Sequence, residues 1–347
     1  MKRKKILFIC GSLNQTTQLH KISLHLCGNF DCYFTPYYVD SLFLKLLYKN
    51  GLLNFTVAGE KLQNKCLEYL ISNDLKIDFC GNRNNYDLVI TSSDLVIQKN
   101  IRGKKIILVQ EGMTDPENIF FWLSKWFNLP RYLASTSTTG LSDKYKIFCV
   151  ASHGYRDLFV RKGANPSKII VTGIPNFDNF KIYLNNTFRY RNHVLAATSD
   201  ARETFKYENR KKFIKKVLEI ADGRQIIFKL HPNENHQRAE KEISAYAPEA
   251  IIFRDGNINH MIANCEILVT KYSSVVYAGI SLGKEVYSDF DIDMLKKLNP
   301  IQNGGLSARY IAEIATLVIE EYEIKAEEFS YMYSSSAGFL PELAGAA

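Results

Sequence analysis

Short runs of apolar residues alternate with longer amphipathic stretches along most of the chain. The runs are four to six residues long and rich in Ile, Val and Leu, which is typical of parallel strands buried on both faces. The longer stretches, such as residues 60–72 and 208–221, have the pattern of amphipathic helices. From this pattern we predict strands at residues 6–10, 87–90, 105–110, 147–150, 169–172, 193–197, 225–229, 250–253, 267–270 and 285–288.

Alternating strands and helices predict a doubly wound α/β protein with parallel sheets. The series starts again with the strand at residue 193, after a polar and aromatic stretch. We therefore expect two Rossmann-like domains that face each other across a cleft. Their predicted bounds are residues 1–185 and 186–325, with a tail at residues 326–347.

Composition narrows the class of protein. With 347 residues, 46% of them hydrophobic, the chain fits two globular domains, and no apolar run is long enough for a transmembrane helix. Seven cysteines without a C-x-x-C spacing favour reduced thiols in a cytoplasmic protein. The net charge of +8 comes without a nucleic-acid motif, so it favours phosphorylated small molecules or peripheral association with the anionic inner membrane.

Two candidate anion-binding motifs follow strands of the second domain. In the first, Pro232 ends a strand and leaves His231 at its carboxyl edge, where an imidazole can donate to a phosphate oxygen. In the second, Ser273 and Ser274 follow Tyr272 and open a helix, and their hydroxyls add donors. Structural interpretations stay open for both, because His-Pro also stops strands and a serine also caps helices. We expect the imidazole and the hydroxyls, on neighbouring strand ends, to converge on one anionic group.

The first domain offers a carboxylate. Glu111 follows the strand at residues 105–110, at its carboxyl end, and Gly112 then allows the chain to turn. A carboxylate in this position is either a general base or a solvated acid. The turn after the first strand lacks the glycines of a dinucleotide or P-loop motif. Further candidate contacts to substrates are Ser12, Asn14, Thr16, His20, Gly112, Asp200, Arg202 and Glu234. The pair Asp289 and Asp291 has a metal-binding spacing, but we expect no metal and no cofactor.

The order of these motifs, acid-Gly, His-Pro and Ser-Ser, resembles that of bacterial sialyl- and polysialyltransferases, and the second half is similar to Kdo transferases. The chain is also similar to CDP-glycerol glycerophosphotransferases around the serine pair, and residues 148–175 resemble the end of a GT-B amino-terminal domain, a feature shared with UDP-N-acetylglucosamine 2-epimerases. One departure is Gln110, which stands where the sialyltransferase motif has its first acid.

The resemblance implies a GT-B glycosyltransferase without a metal. The second domain would bind the nucleotide donor, CMP-linked or CDP-linked, with His231, Tyr272, Ser273 and Ser274 on its phosphate. Glu111 in the acceptor domain would be the base for direct, inverting attack by a glycan or lipid-linked acceptor. A CDP-glycerol-type glycerophosphotransferase, a UDP-sugar 2-epimerase and a non-catalytic nucleotide-sugar-binding protein stay open as alternatives.

Overall fold

All ten predicted strands are present among the described residues, where they form two parallel sheets together with an eleventh strand. The computed structural model describes residues 3–50, 56–204, 207–326 and 329. Unit 1 comprises Met1–Asp178 and Asn303–Ala347, and unit 2 comprises Asn179–Gln302.

The sheet of unit 1 has six strands, and the additional strand, β2, lies at one edge. The strand order is β2-β1-β3-β4-β5-β6, and every pairing is parallel. Helices cover this sheet because one set of alternating side chains on each strand is apolar and packs beneath them. The strands are β1 (Lys5–Cys10), β2 (Asp31–Pro36), β3 (Leu88–Thr91), β4 (Lys105–Val109), β5 (Ile147–Val150) and β6 (Ile169–Val171). The helices before Asp178 are α1 (Leu13–Leu24), α2 (Leu42–Lys49), α3 (Glu60–Ser72), α4 (Ile119–Trp126) and α5 (His153–Lys162).

The sheet of unit 2 has five parallel strands in the order β11-β10-β7-β8-β9. Side chains of β7 and β8 pack against α6 and α7 in a core of their own. The strands are β7 (His193–Ala197), β8 (Ile226–Lys229), β9 (Ile251–Phe253), β10 (Cys265–Val269) and β11 (Glu285–Tyr287). The helices are α6 (Arg210–Ala221), α7 (His236–Tyr246), α8 (Ile258–Asn264), α9 (Val275–Ser281) and α10 (Ile292–Leu298).

The helix α11 (Ser307–Ile319) follows unit 2 in sequence and belongs to unit 1. Its apolar face, which includes Ile311, Ile314 and Val318, packs into the same core as Ile6 and Phe8 of β1. The second domain was expected to continue to residue 325, but the chain returns to unit 1 after Gln302 because this helix completes the core of unit 1.

Among the described residues, none of the helices combines the length and apolar character needed to cross a bilayer. The predicted tail at residues 326–347 lies almost wholly outside the described residues.

Candidate functional site

In unit 2, the loops after the three central strands carry most of the predicted residues of the second domain. β7 lies in the middle, with β8 on one side and β10 on the other, and their carboxyl ends share one edge of the sheet. After β7, the chain adds β8 and β9 on one side and then β10 and β11 on the other side. The strand order therefore reverses between β7 and β10. Crevices at such switch points bind nucleotides in doubly wound sheets.

The strands before His231 and the serine pair are not neighbours, contrary to expectation, because β7 separates β8 from β10. Two strand spacings place these loops about 10 Å apart at the sheet edge. An anionic group bound by both would therefore lie over the end of β7.

The imidazole of His231 is half-exposed at the end of β8. Its Nδ1 accepts a hydrogen bond from the backbone N–H of Asn233 at 3.2 Å. In the neutral ring this places the proton on Nε2. The carboxylate of Asp200, in the loop after β7, lies 3.7 Å from Nδ1. His231 can therefore donate a hydrogen bond from Nε2.

A buried ionic cluster fixes the backbone beneath His231. The carboxylate of Glu234 accepts from the backbone N–H of His231 at 2.8 Å and from the hydroxyl of Thr198. Its other oxygen pairs with Arg210 at 2.8 Å, and Glu208 lies 2.7 Å from the same guanidinium, although without the angle of a hydrogen bond. The three ionic side chains are at most 3% exposed. Glu234, predicted as a substrate contact, therefore has a positioning role in this structure.

The loop after β10 presents the second motif. Ser273 and Ser274 are partly exposed, and Ser274 precedes α9 without capping it through its side chain. The ring of Tyr272 is 60% exposed and packs edge-on against Phe290, with centroids 4.6 Å apart. The Ser274 hydroxyl is thus not needed for helix capping, whereas the Ser273 hydroxyl accepts from the backbone N–H of Val275 at 3.5 Å. Lys271 adds a cation to this loop and lies 4.0 Å from Asp289.

Arg202 and the two aspartates of the metal-like spacing have partners within unit 2. Arg202 forms a bidentate ion pair with Glu242 at 2.7 and 2.8 Å, and hydrogen bonding to that carboxylate raises the pKa of the guanidinium. Asp291 caps α10 by accepting from the backbone N–H of Asp293 at 2.9 Å. The described residues contain no cluster of three or more His, Cys, Asp or Glu that could hold a metal.

In unit 1, Glu111 lies beside the amino terminus of α1. One carboxylate oxygen accepts from the hydroxyl of Ser12 at 2.5 Å, and the other accepts from the amide of Gln15 at 2.6 Å. The Asn14 amide donates to the Glu111 backbone carbonyl at 3.1 Å. Gly11 makes this arrangement possible, because a Cβ there would collide with the Gln15 amide. Neutral donors thus fix both oxygens of a partly exposed carboxylate.

Gln110 has a structural role in the turn that follows β4. Its side chain is fully buried, donates to the carbonyl of Gly112 at 2.8 Å and accepts from the backbone N–H of Ala151 at 2.9 Å. A carboxylate could accept the second hydrogen bond but could not donate the first. The amide therefore holds the turn that presents Glu111.

The other predicted contacts of unit 1 differ in accessibility. Ser12 and Asn14 surround Glu111, whereas Thr16 is fully buried and donates to the Ser12 carbonyl at 2.8 Å, which is a structural role. His20 lies further along α1, with Nδ1 3.0 Å from the Tyr69 hydroxyl, and burial lowers its pKa. Gly112 is buried. Sequence reasoning missed Gln15, Thr198, Glu208 and Arg210, because single neutral or ionic side chains form no motif.

No protein-family model matches the sequence, and no curated protein matches it significantly. Solved structures do match. A protein from Listeria monocytogenes assigned as a UDP-N-acetylglucosamine 2-epimerase is 14% identical, with a TM-score of 0.61 over 93% of this chain and 99% of that one. The 2-epimerase of Neisseria meningitidis, bound to UDP-GlcNAc, is 12% identical, with a TM-score of 0.56 over 90% and 99% of the two chains. The Methanocaldococcus jannaschii 2-epimerase, in complex with UDP-GlcNAc and UDP, is 16% identical, with a TM-score of 0.53 over 90% and 99%.

The chain has a GT-B-like fold with two Rossmann-like domains. This confirms the predicted fold class. The resemblance to sialyl-, polysialyl- and Kdo transferases stays a prediction. The matched structures are only 11–16% identical in sequence to this chain, and at that level a match shows similarity of fold but not of activity.

Proposed function

We propose that this chain is an enzyme that breaks the bond between the anomeric carbon of a sugar and the phosphate of a nucleotide. The supporting observation is the meeting of the loops after β7, β8 and β10 at the switch point of unit 2, with Asp200, His231 and the serine pair on them. Hydroxyl and imidazole N–H donors at that point suit a nucleotide phosphate.

In the proposed chemistry, the anomeric C–O bond breaks and its electron pair stays on the departing phosphate oxygen. Ser273 and Ser274 hydrogen-bond to that phosphate, and His231 donates to it from Nε2. Fixed donors of this kind lower the barrier where negative charge develops, by about 2.7–4 kcal/mol for one donor in acyl transfer. The role of base is given to Glu111, whose oxygens are already oriented by Ser12 and Gln15.

The fold comparisons favour a UDP-linked N-acetylamino sugar over a CMP-linked acid sugar, since the matched structures from Neisseria and Methanocaldococcus contain UDP-GlcNAc. With that substrate the first candidate reaction is 2-epimerisation. After UDP leaves, the proton at C2 is removed, and UDP returns to the anomeric carbon as a proton is added to the opposite face of C2.

Glycosyl transfer is the second candidate, favoured by the surroundings of Glu111. Its side-chain partners Ser12 and Gln15 are neutral, as is the adjacent Asn14, and a carboxylate among neutral donors suits a single proton abstraction from an acceptor hydroxyl. Elimination and re-addition need several acid–base groups. In this reaction the acceptor oxygen bonds to the anomeric carbon as the nucleotide departs.

The first experiment is a thermal-shift panel of UDP, UMP, CDP, CMP and GDP, each with and without Mg²⁺. We expect UDP to raise the melting temperature most, with or without the metal. Stabilisation by CMP would favour the acid-sugar donor, and stabilisation by CDP would favour a glycerophosphotransferase. A chain that responds to none of these nucleotides would refute the proposal.

The second experiment separates the two reactions. UDP-GlcNAc is incubated with the protein alone, and the configuration at C2 is followed by proton NMR. Appearance of the C2 epimer identifies an epimerase, whereas release of UDP only when a glycan or lipid-linked acceptor is added identifies a transferase. Binding without either outcome would identify a non-catalytic binding protein.

His231→Ala tests the phosphate site in whichever reaction is found. We expect kcat to fall by about 100-fold or more with an unchanged melting temperature, because a charge-stabilising donor is lost. The matched control is His25→Ala, which removes an exposed histidine at the end of α1. Near-normal turnover of His231→Ala would exclude the assigned role.

A further inference from the structure

The helix α4 is oriented with most of its apolar side chains outward. Phe121 and Ser124 are buried, whereas Ile119, Phe120, Trp122 and Trp126 face solvent. An amphipathic helix of a globular domain normally buries its apolar side. The exposed apolar side chains continue after the helix as Phe127, Leu129 and Leu133, and the seven are 39–71% exposed. A short segment that exposes seven large apolar side chains is a candidate interaction surface.

The charge of this segment restricts its partner. From Asn118 to Ser142 the sequence contains Lys125 and Arg131 but no Asp or Glu. The Lys125 ammonium lies 5.8 Å from the centre of the Trp122 ring. Trp and Phe side chains flanked by Lys and Arg are the residues that proteins place in the headgroup region of a bilayer.

A basic cavity adjoins the same segment through Arg131. Its volume is about 760 Å³. Six of its lining residues are basic and one is acidic, Asp143. The basic residues are Arg102, Lys104, Lys105, Arg131, Lys144 and Lys146. A net positive cavity beside exposed aromatic side chains matches the two parts of an anionic phospholipid, its headgroup and its acyl chains.

We propose that unit 1 docks on an anionic phospholipid bilayer, with residues 119–133 in the interface and the basic cavity on the headgroups. The occupant is a bilayer and not a second copy of the chain, because two copies of this segment would bring like charges together. This docking does not depend on the reaction proposed above. The thermal-shift panel with nucleotides contains no vesicles and therefore tests the proposed reaction separately.

The chain contains a built-in reporter, since Trp122 and Trp126 are its only two tryptophans and both lie in α4. The full-length protein is titrated with vesicles of phosphatidylcholine alone or mixed with phosphatidylglycerol. We expect the tryptophan emission to shift to shorter wavelength, and brominated lipids to quench it, only with the mixed vesicles. Added salt should reverse the binding.

Two double variants test the two parts of the surface. Phe120→Ser with Phe127→Ser keeps both tryptophans and should weaken vesicle binding by about tenfold or more, a change equivalent to about 1.4 kcal/mol. The matched control is Ile182→Ser with Leu184→Ser, which removes two comparably exposed apolar side chains from unit 2. Lys144→Glu with Lys146→Glu should weaken vesicle binding by a similar factor. Its control is Lys212→Glu with Lys215→Glu, which changes the net charge equally at exposed positions of α6 and should weaken binding less.

Four results would overturn this inference. The first is no emission shift with the mixed vesicles. The second is unchanged binding of the Phe120/Phe127 variant, and the third is equal weakening by a variant and its control. A shift that occurs without vesicles and grows with protein concentration would instead show that copies of the chain cover the segment, which also overturns it.

Discussion

Replacement of Arg210 should be costly to the stability of unit 2. Its guanidinium lies between the carboxylates of Glu208 and Glu234, at 2.7 and 2.8 Å, and all three side chains are buried. Arg210→Met keeps much of the side-chain volume but removes the charge. Two carboxylates are then left in the interior without their cation.

The expected loss follows from the burial of the cluster. Breaking a buried ion pair by removing one partner costs about 3–5 kcal/mol, because the remaining charge is uncompensated. Arg224→Met is the matched control in the same unit. Arg224 lies 3.6 Å from Glu266, and both side chains are at least 41% exposed, so its loss should cost about 1 kcal/mol or less.

The assay is urea unfolding followed by far-UV circular dichroism, which reports on helices of both units. Tryptophan emission alone is unsuitable, because both tryptophans lie in α4 of unit 1. The free energy of unfolding is compared between variants whose dependence on urea is unchanged. A triple variant, Arg210→Met with Glu208→Gln and Glu234→Gln, should recover much of the loss, because no charge is left buried.

A loss in Arg210→Met as small as that in Arg224→Met would refute this reasoning. It would mean that water or neighbouring groups solvate the two carboxylates when the arginine is absent. Failure of the triple variant to recover stability would show that packing, and not charge, dominates the cluster.

Two further predictions concern single residues. Burial lowers the pKa of His193 from 6.5 to about 4. Its contribution to stability should therefore fall by about 3 kcal/mol as the pH drops from 6.5 to 4, because only the unfolded state takes up a proton on this residue there. His193→Leu should lack this fall in urea titrations across that range, and an unchanged pH dependence would contradict the assignment. Gly11→Ala should displace the Gln15 amide from Glu111 and lower kcat by about 10- to 100-fold, whereas Gly28→Ala, with open space around the new Cβ, should not. Equal rates for the two alanine variants would contradict a role for this arrangement in positioning Glu111.

The strands were predictable because parallel strands buried on both faces leave continuous apolar runs in the sequence. The apolar run of β2 is only three residues long, since it lies between Asp31 and Thr35, and the strand is recognised by its pairing with β1. The outward-facing α4 and the returning α11 were also missed. An apolar helix looks the same in sequence whichever way it faces, and the core that a helix joins is decided by tertiary contacts.

The candidate site was predictable only where a strand end and a distinctive residue type coincide, as at Glu111, His231 and Ser273. The groups that position these residues were not. Gln15 and Gln110 act through neutral amides, and Arg210 acts through two carboxylates that meet it only in the folded chain. Such partners carry no motif because their spacing along the sequence is set by the loops between them.

The position of α11 has a consequence for folding during synthesis. The apolar face of this helix fills part of the core around β1, yet more than 120 residues of unit 2 are made between the two parts of unit 1. Unit 2 is continuous in sequence and can complete its own core as soon as it has left the ribosome. Unit 1 cannot complete its core until α11 has been made, and its apolar surface stays uncovered until then. Ribosome-bound chains that stop before Ser307 should therefore depend on chaperones more than full-length ones.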